Sequence, residues 1–331
     1  MTSWQDTART QTPQDTPGLW QRVAGALRSK TGQVILALAA LCLGGFLLWR
    51  ALGQYSYADL RSAVAAVPLA RIAASGAFAA ASYGCLTFFD YFALRYAGKP
   101  QPYPRTAFVS FVSLSLGHTI GLAALSSGAV RYRYYSRWGL SAAEVAKVIL
   151  FCGFTVGLGL SGLAGIALLL EPAVAREMAG LSTAGTYGLA AACLAFPVAY
   201  VAVNALWRKP LSFRGWSMDM PGVRLALAQV GIGILNFLCV SACLQQALLG
   251  VHEVGFSAVT SAYVVANAAT LISHVPGGLG VIETVIQHLL PGERLIGPLL
   301  VFRFTYFLIP LMLGALLMAV GEIVLRRRKT A

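Results

Sequence analysis

Long runs of apolar residues with few charges dominate the chain after its first thirty residues. Eight such runs alternate with short polar segments, and each is long enough to enter a hydrocarbon layer about 30 Å thick. The runs are 33–51, 70–97, 105–130, 142–170, 183–207, 223–249, 257–290 and 295–325. Because backbone groups in a bilayer must be hydrogen-bonded within their own segment, and barrel strands are shorter than these runs, the pattern predicts helices.

Composition turns this pattern into a class of protein. Of the 331 residues, 57% are hydrophobic and 11% are charged, and the mean hydropathy is +0.70. Soluble proteins carry about 25% charged residues, so we expect an all-α integral membrane protein. The net charge of +13 fits the Lys and Arg excess of cytoplasmic loops, and we therefore expect no nucleic-acid partner.

The positively charged loops predict which side of the membrane each segment occupies. Basic residues cluster in the segments expected in the cytoplasm, namely 22–30, 95–105, 131–137, 208–224 and 325–329. The loop at 171–180 is poor in them and is expected outside, although Arg50, Arg61 and Arg71 in the first outside loop run against the rule. The third and seventh runs must then each begin and end on one side. We predict that both are re-entrant hairpins.

The predicted architecture is about six transmembrane helices plus two re-entrant helical hairpins in a 4+4 inverted repeat, a plan common in transporters. Its first part is a cytoplasmic tail at 1–30, and the first apolar run is expected to be an uncleaved transmembrane helix. A polytopic domain at 31–326 follows, with repeats at about 31–172 and 183–326. A basic cytoplasmic tail at 327–331 ends the chain.

Glycine and proline mark the turn of each predicted hairpin. The stretch ISHVPGGLGVIETVIQ, 272–287, places them inside an apolar run, and GHTIG at 117–121 corresponds to SHVPG at 273–277. These residues break a helix, which is tolerated at membrane depth where the backbone is buried in protein or lines a wet cavity. The predicted hairpin-forming residues are Gly117, Gly121, Pro276, Gly277, Gly278 and Gly280. A structural kink is the alternative.

Ionisable residues within the apolar runs are the candidate substrate contacts, because charge at membrane depth is costly. They are Asp90, His118, Arg131, Arg133, His274, Glu283 and Arg303. Arg131 and the helix start after PGGLG suit a phosphate, whereas Glu283 suits a cationic group or a proton relay. Asp90 is expected to pair with Arg95, and Arg303 with an acid. Each has a structural alternative. Glu283 would be a carboxylate that stabilises the first turn of a helix, the histidines would be hydrogen-bonded core residues, and the arginines would bind lipid headgroups without selecting them.

Several kinds of catalytic site have no signature in the sequence. It contains neither a P-loop, nor GxSxG, nor a zinc motif, and its six cysteines form no CxxC pair. We therefore expect no ATP hydrolysis, no metal and no cofactor.

SHVPGGLGVIETVI and SSGAVRYRYYSRWGLS resemble the membrane domain of the lysylphosphatidylglycerol synthase/flippase family, the multiple peptide resistance factor group, and its stand-alone relatives. The resemblance covers nearly the whole chain after residue 30. It maps Pro276, Gly277, Gly278, Gly280 and Glu283 onto the PGGLGxxE motif, and Arg131 onto the arginine after the first hairpin. The chain stops at RRRKTA, without the family's soluble aminoacyl-transferase domain, so lipid synthesis is not expected.

The resemblance implies a flippase of a bacterial inner membrane that moves lysyl-phosphatidylglycerol or a related phospholipid between leaflets, with both termini in the cytoplasm. Two alternatives are a non-transporting membrane partner of a separate lipid-modifying enzyme, and an intramembrane enzyme that acts on a lipid headgroup. A protein partner is left open as either such an enzyme or a second copy of the chain.

Overall fold

The structure is a computed structural model. It describes residues 57–120, 123–173, 176, 180–207, 211–213, 216–218, 220–273, 275–290 and 295–330, all within the compact unit Gly44–Ala331. The predicted N-terminal tail at 1–30 and the predicted first helix at 33–51 lie outside the described residues.

Helices make up almost all of the described chain, as predicted. They are α1 Tyr57–Ala65, α2 Leu69–Tyr96, α3 Tyr103–Ile120, α4 Ala123–Tyr135, α5 Ala142–Leu170, α6 Thr183–Leu206, α7 Val223–Leu248, α8 Phe256–Ser273, α9 Val281–Leu289, α10 Ile296–Arg303 and α11 Ile309–Thr330. Short 3₁₀ turns lie at Ser136–Trp138 and Pro276–Gly278, and a π-helix at Phe304–Leu308 joins α10 to α11.

Two local features add detail to the predicted elements. Strands β1, Leu211–Phe213, and β2, Trp216–Met218, pair antiparallel in the loop between α6 and α7. Helix α11 extends as far as Thr330, so residues 327–330 of the predicted basic tail are helical.

Six of the described helical segments are long and apolar enough to cross a membrane, which makes this a multi-pass membrane protein. They are Leu69–Tyr96, Ala142–Leu170, Thr183–Leu206, Val223–Leu248, Phe256–Ser273 and Ile296–Ile323. Serine caps begin two of them. Ser141 accepts from the N–H of Glu144 at 3.3 Å while the Glu144 carboxylate accepts from the N–H of Ser141 at 2.7 Å, and Ser182 accepts from the N–H of Gly185 at 3.1 Å.

Helix α7 is the centre of the bundle and packs against α2, α5, α6, α8 and α10. Glycine permits its closest approach. A Cβ on Gly159 of α5 would lie 2.4 Å from the carbonyl carbon of Gly233 in α7, so the two backbones touch there. The backbones of α5 and α7 are therefore in direct contact at this crossing.

Two helix–turn–helix units lie at the predicted hairpin positions. In the first, α3 packs along α4. The guanidinium of Arg105, near the start of α3, lies 5.4 Å from the ring of Trp138, which follows the end of α4. In the second, α8 packs along α9 beyond the 3₁₀ turn at Pro276–Gly278. The start of α3 and the end of α4 are therefore close together. Insertion from opposite membrane faces and the inverted repeat stay predictions.

Candidate functional site at the two hairpins

A buried ion pair fastens the first hairpin to α2. Arg131 of α4 donates from Nε to Asp90 Oδ1 at 2.8 Å and from Nη2 to Asp90 Oδ2 at 2.7 Å. The side chains of Arg131 and Asp90 are 2% and 0% exposed. Tyr135 Oη also donates to Asp90 Oδ1 at 2.9 Å, and Arg131 Nη1 donates to Ser127 at 2.9 Å. The carboxylate and guanidinium thus neutralise each other inside the protein.

This pairing corrects one sequence prediction. Asp90 pairs with Arg131 rather than with Arg95, whose guanidinium lies over the Tyr91 ring at 3.9 Å. Five residues along a helix turn the side chain about 140° away, so Arg95 faces a different side of α2 from Asp90. Arg131, expected to contact a lipid phosphate, has its guanidinium bound by Asp90 and Ser127 in this structure.

A second ion pair fastens the second hairpin to α10. Arg303 donates from Nε to Glu283 Oε1 at 2.5 Å and from Nη2 to Glu283 Oε2 at 2.9 Å. The same guanidinium donates to the carbonyl oxygens of Gly277 and, at 2.7 Å, Gly278. Arg303 was predicted to pair with an acid, and Glu283 is that acid.

The conformation of the PGG turn explains why glycine is needed there. Gly277, Gly278 and Gly280 have φ of 61°, 59° and 80°, in the left-handed region that L side chains rarely adopt. Glu283 Oε2 also accepts from the N–H of Gly280 at 2.9 Å, which closes the start of α9. Three predicted hairpin-forming glycines are therefore at the turn, as is Pro276.

One of the two glycines predicted to form the first hairpin turn lies inside a helix. Gly117 is helical within α3, which continues to Ile120. A glycine inside a membrane helix is tolerated where packing and internal hydrogen bonds hold the backbone, so its presence does not by itself end the helix. Gly121 and His274 lie outside the described residues.

The two hairpins meet near the π-helix. Helix α3 contacts the Pro276–Gly278 turn, and the His118 ring stacks on Tyr306 with centroids 6.4 Å apart. His118 Nδ1 is buried and has no hydrogen-bond partner in the described part of the chain. Tyr83 meets the His118 ring edge-on at 6.1 Å and donates its hydroxyl to the Tyr306 carbonyl at 3.4 Å. His118 thus packs against the rings of Tyr83 and Tyr306 at the junction.

A polar layer continues from this junction into α2 and α7. Ser82 donates to Asn236 Oδ1 at 2.7 Å and lies 3.3 Å from the Tyr306 hydroxyl. About two turns earlier in α2, Ser75 lies 3.0 Å from Thr305 Oγ1 and 3.3 Å from Cys243 Sγ. The π-helix therefore presents two consecutive polar side chains to the bundle, which is typical of functional sites.

Arg133, the other predicted contact in the basic run, binds the last helix. Its Nη2 lies 2.6 Å from Glu322 Oε2, and Arg137 Nη1 lies 3.2 Å from Glu322 Oε1. The side chains of Arg133 and Glu322 are 15% and 17% exposed. This contact ties the end of the first hairpin to α11.

Sequence reasoning missed three of these partners. Glu322 is a lone acid in an apolar helix, and its position there could have marked it as an ion-pair partner. Nothing in the sequence distinguished Tyr135 and Ser127 as partners, because tyrosine and serine beside a basic run are equally typical of residues at the level of the lipid headgroups. Their roles depend on which face of α4 meets α2.

An apolar groove lies between α2, α7 and the start of α8. Its volume is about 320 Å³, and its lining residues are Phe78, Leu235, Leu238, Cys239, Ala242, Gln245, Gln246 and Phe256. Arg71 Nη1 donates to Gln246 Oε1 at 2.8 Å at its edge. An apolar wall beside an arginine suits an acyl chain with its polar end near the charge. Within the described ranges, no group of three or more His, Cys, Asp or Glu side chains is arranged to hold a metal ion.

The class defined by these observations is a multi-pass helical membrane protein with two ion-paired helical hairpins. The chain is 29% identical to "Uncharacterized protein slr0712" of Synechocystis over 314 residues, which cover 94% of this chain and 96% of that protein. It is 28% identical to "Inner membrane protein YbhN" of Escherichia coli over 273 residues, 81% of each chain. No protein-family model matches the chain, so membership of the lysylphosphatidylglycerol synthase/flippase family stays a prediction.

Proposed function

We propose that this protein is a lipid transporter of a bacterial inner membrane. It moves lysyl-phosphatidylglycerol, or a related phospholipid, from one leaflet to the other without changing the lipid covalently. Both termini lie in the cytoplasm. The observation that carries the proposal is the pair of hairpins, each held by a bidentate carboxylate–guanidinium pair inside apolar surroundings. Similarity to an inner membrane protein of Escherichia coli supports the location.

Charged pairs in such surroundings are costly to bury, and well-packed apolar residues commonly hold helices together as well. Their presence at both hairpins therefore favours a role in handling charge. A lipid headgroup with a phosphate and an amine carries the two kinds of charge that these pairs contain. Its acyl chains stay in the bilayer or in the apolar groove while the headgroup crosses near the hairpin junction.

The charge of the substrate sets an energetic requirement. Lysyl-phosphatidylglycerol carries one net positive charge, so an inside-negative potential opposes its outward movement by about 2.3 kcal/mol per 100 mV. Outward transport therefore needs a concentration ratio or a coupled ion to offset that difference.

Reconstituted liposomes test the proposal. Headgroup-labelled lysyl-phosphatidylglycerol and plain phosphatidylglycerol are compared, and the aminoacylated lipid is expected to cross faster. Glu283→Gln should slow it about tenfold, the effect of losing about 1.4 kcal/mol of interaction with the amine. Glu253→Gln changes a carboxylate in the loop between α7 and α8 and serves as the matched control.

Two results would overturn the proposal. Folded protein that moves neither lipid favours a membrane partner of another enzyme. A changed lipid mass after incubation favours an intramembrane enzyme.

A further inference from the structure

The guanidinium of Arg303 fills a ring of acceptors that belongs to the second hairpin. Both oxygens of Glu283 and the carbonyl oxygens of Gly277 and Gly278 accept its N–H groups. The ring of Phe307 lies 4.8 Å from its Cζ and adds a cation–π contact. We call the four oxygens and this ring the cation cradle. It carries one formal negative charge and therefore matches one monovalent organic cation.

The hairpin itself shapes most of the cradle. The positive φ angles of Gly277 and Gly278 set the direction of their carbonyls, and the N–H of Gly280 holds Glu283 at 2.9 Å. A Cβ on Gly278 would meet Thr270 Oγ1 at 2.7 Å, so neighbouring packing also fixes the turn. Acceptors arranged by their own backbone can bind another cation of the same shape once the arginine leaves.

The two partners differ in exposure. The Arg303 side chain is 6% exposed, whereas that of Glu283 is 28% exposed. The cradle is thus closed by the protein on the Arg303 side and open on the Glu283 side. We therefore expect an incoming cation to approach from the Glu283 side. The Asp90–Arg131 pair offers no such approach, because both of its side chains are buried.

We infer that the cation cradle is a receptor for a guanidinium or primary ammonium group, and that Arg303 is its built-in competitor. An incoming amine displaces Arg303 from Glu283 and the two carbonyls. Release of the amine lets Arg303 return, so the cradle is never left with an unpaired carboxylate. The amine belongs to a lipid headgroup if the proposed function is correct, or else to a soluble amine.

This inference predicts that removing a positive charge improves binding of a cation. The apparent dissociation constant equals the intrinsic one divided by the fraction of cradles that are free. Arg303→Gln, which frees the cradle, should bind methylguanidinium about tenfold more tightly than the parent protein. Glu283→Gln should lose this binding, and Arg303→Lys, with fewer donors, should fall between the parent and Arg303→Gln.

The experiment uses the full chain in nanodiscs, with binding read from the ligand-dependent rise in melting temperature. One arm titrates methylguanidinium and the other adds lysyl-phosphatidylglycerol to the nanodisc lipid. Arg137→Gln is the matched control, because it removes an arginine from a different and partly exposed ion pair, the one with Glu322. Phe307→Leu keeps every charge and should weaken binding in the Arg303→Gln background, so the inference is testable even if Glu283→Gln unfolds.

Weaker or unchanged binding by folded Arg303→Gln would overturn the inference, since it would make Arg303 a direct ligand or a simple structural tie. Tighter binding of both probes supports a general amine receptor, and tighter binding of the lipid alone supports a headgroup receptor. Tighter binding without lipid crossing in liposomes would retain the cradle and reject the transporter. Lipid crossing without tighter binding would retain the transporter and reject the cradle.

Discussion

The Asp90–Arg131 pair offers the most direct test of the packing described for the first hairpin. Asp90→Asn leaves a buried guanidinium without a countercharge. It disturbs three hydrogen bonds, from Arg131 Nε, Arg131 Nη2 and Tyr135 Oη, at 2.8, 2.7 and 2.9 Å. Removing one partner of a buried pair costs about 3–5 kcal/mol, because the other charge stays desolvated. The variant should lose about that much unfolding free energy.

The assay is denaturant or thermal unfolding of purified protein in one detergent, with the double variant Asp90→Leu/Arg131→Met as the key comparison. Removing both charges should recover most of the loss, because apolar residues of similar volume often replace a buried pair at little cost. A loss below about 1 kcal/mol for Asp90→Asn would refute the reasoning, since that is the size expected for a pair in contact with solvent. A double variant as unstable as the single one would show that shape, rather than charge, dominates.

Two further changes test the hairpin turn and its tie to the last helix. Gly278→Ala should lower stability by about 1–3 kcal/mol, from left-handed strain and from a clash with Thr270, and its melting temperature should fall more than that of Gly139→Ala. Gly139 also has a positive φ, 87°, but no atom lies close to where its Cβ would be, so Gly139→Ala measures the backbone strain alone. Equal losses of stability in the two variants would contradict the predicted clash between a Cβ at position 278 and Thr270. Glu322→Gln releases Arg133 at the bundle edge and should cost about 1 kcal/mol or less in the same unfolding assay. A loss as large as that of Asp90→Asn would contradict this ranking.

Most of the long helices could be predicted from the sequence, because apolar run length and helix-breaking residues are local signals, whereas the short elements α1, β1 and β2 were not predicted. The PGG turn was found in this way, since no other residue adopts positive φ as readily as glycine. Gly117, which was also predicted to form a hairpin turn, lies within α3. A glycine permits a break but does not require one, and α3 continues through it.

Ion-pair partners were harder to predict, because they depend on which helix faces meet. The acid partner expected for Arg303 was found at Glu283, twenty residues away in the chain. Asp90 was assigned to the nearby Arg95, whereas its partner lies 41 residues away. Sequence proximity misleads here, since helical neighbours five positions apart point in different directions. The cation cradle was invisible for a related reason, since two of its acceptors are backbone oxygens.

The π-helix at Phe304–Leu308 lies between the two residues that hold the hairpins. Arg303, just before it, holds the second hairpin, and Glu322, beyond it on α11, holds the first through Arg133. A single π turn corresponds to one extra residue inserted into an α-helix. Tightening it to α would turn everything beyond it by about 100° relative to α10. If that rotation occurred, the Arg303–Glu283 and Arg133–Glu322 contacts would have to change together, so the geometry of the two hairpins would be coupled through this joint.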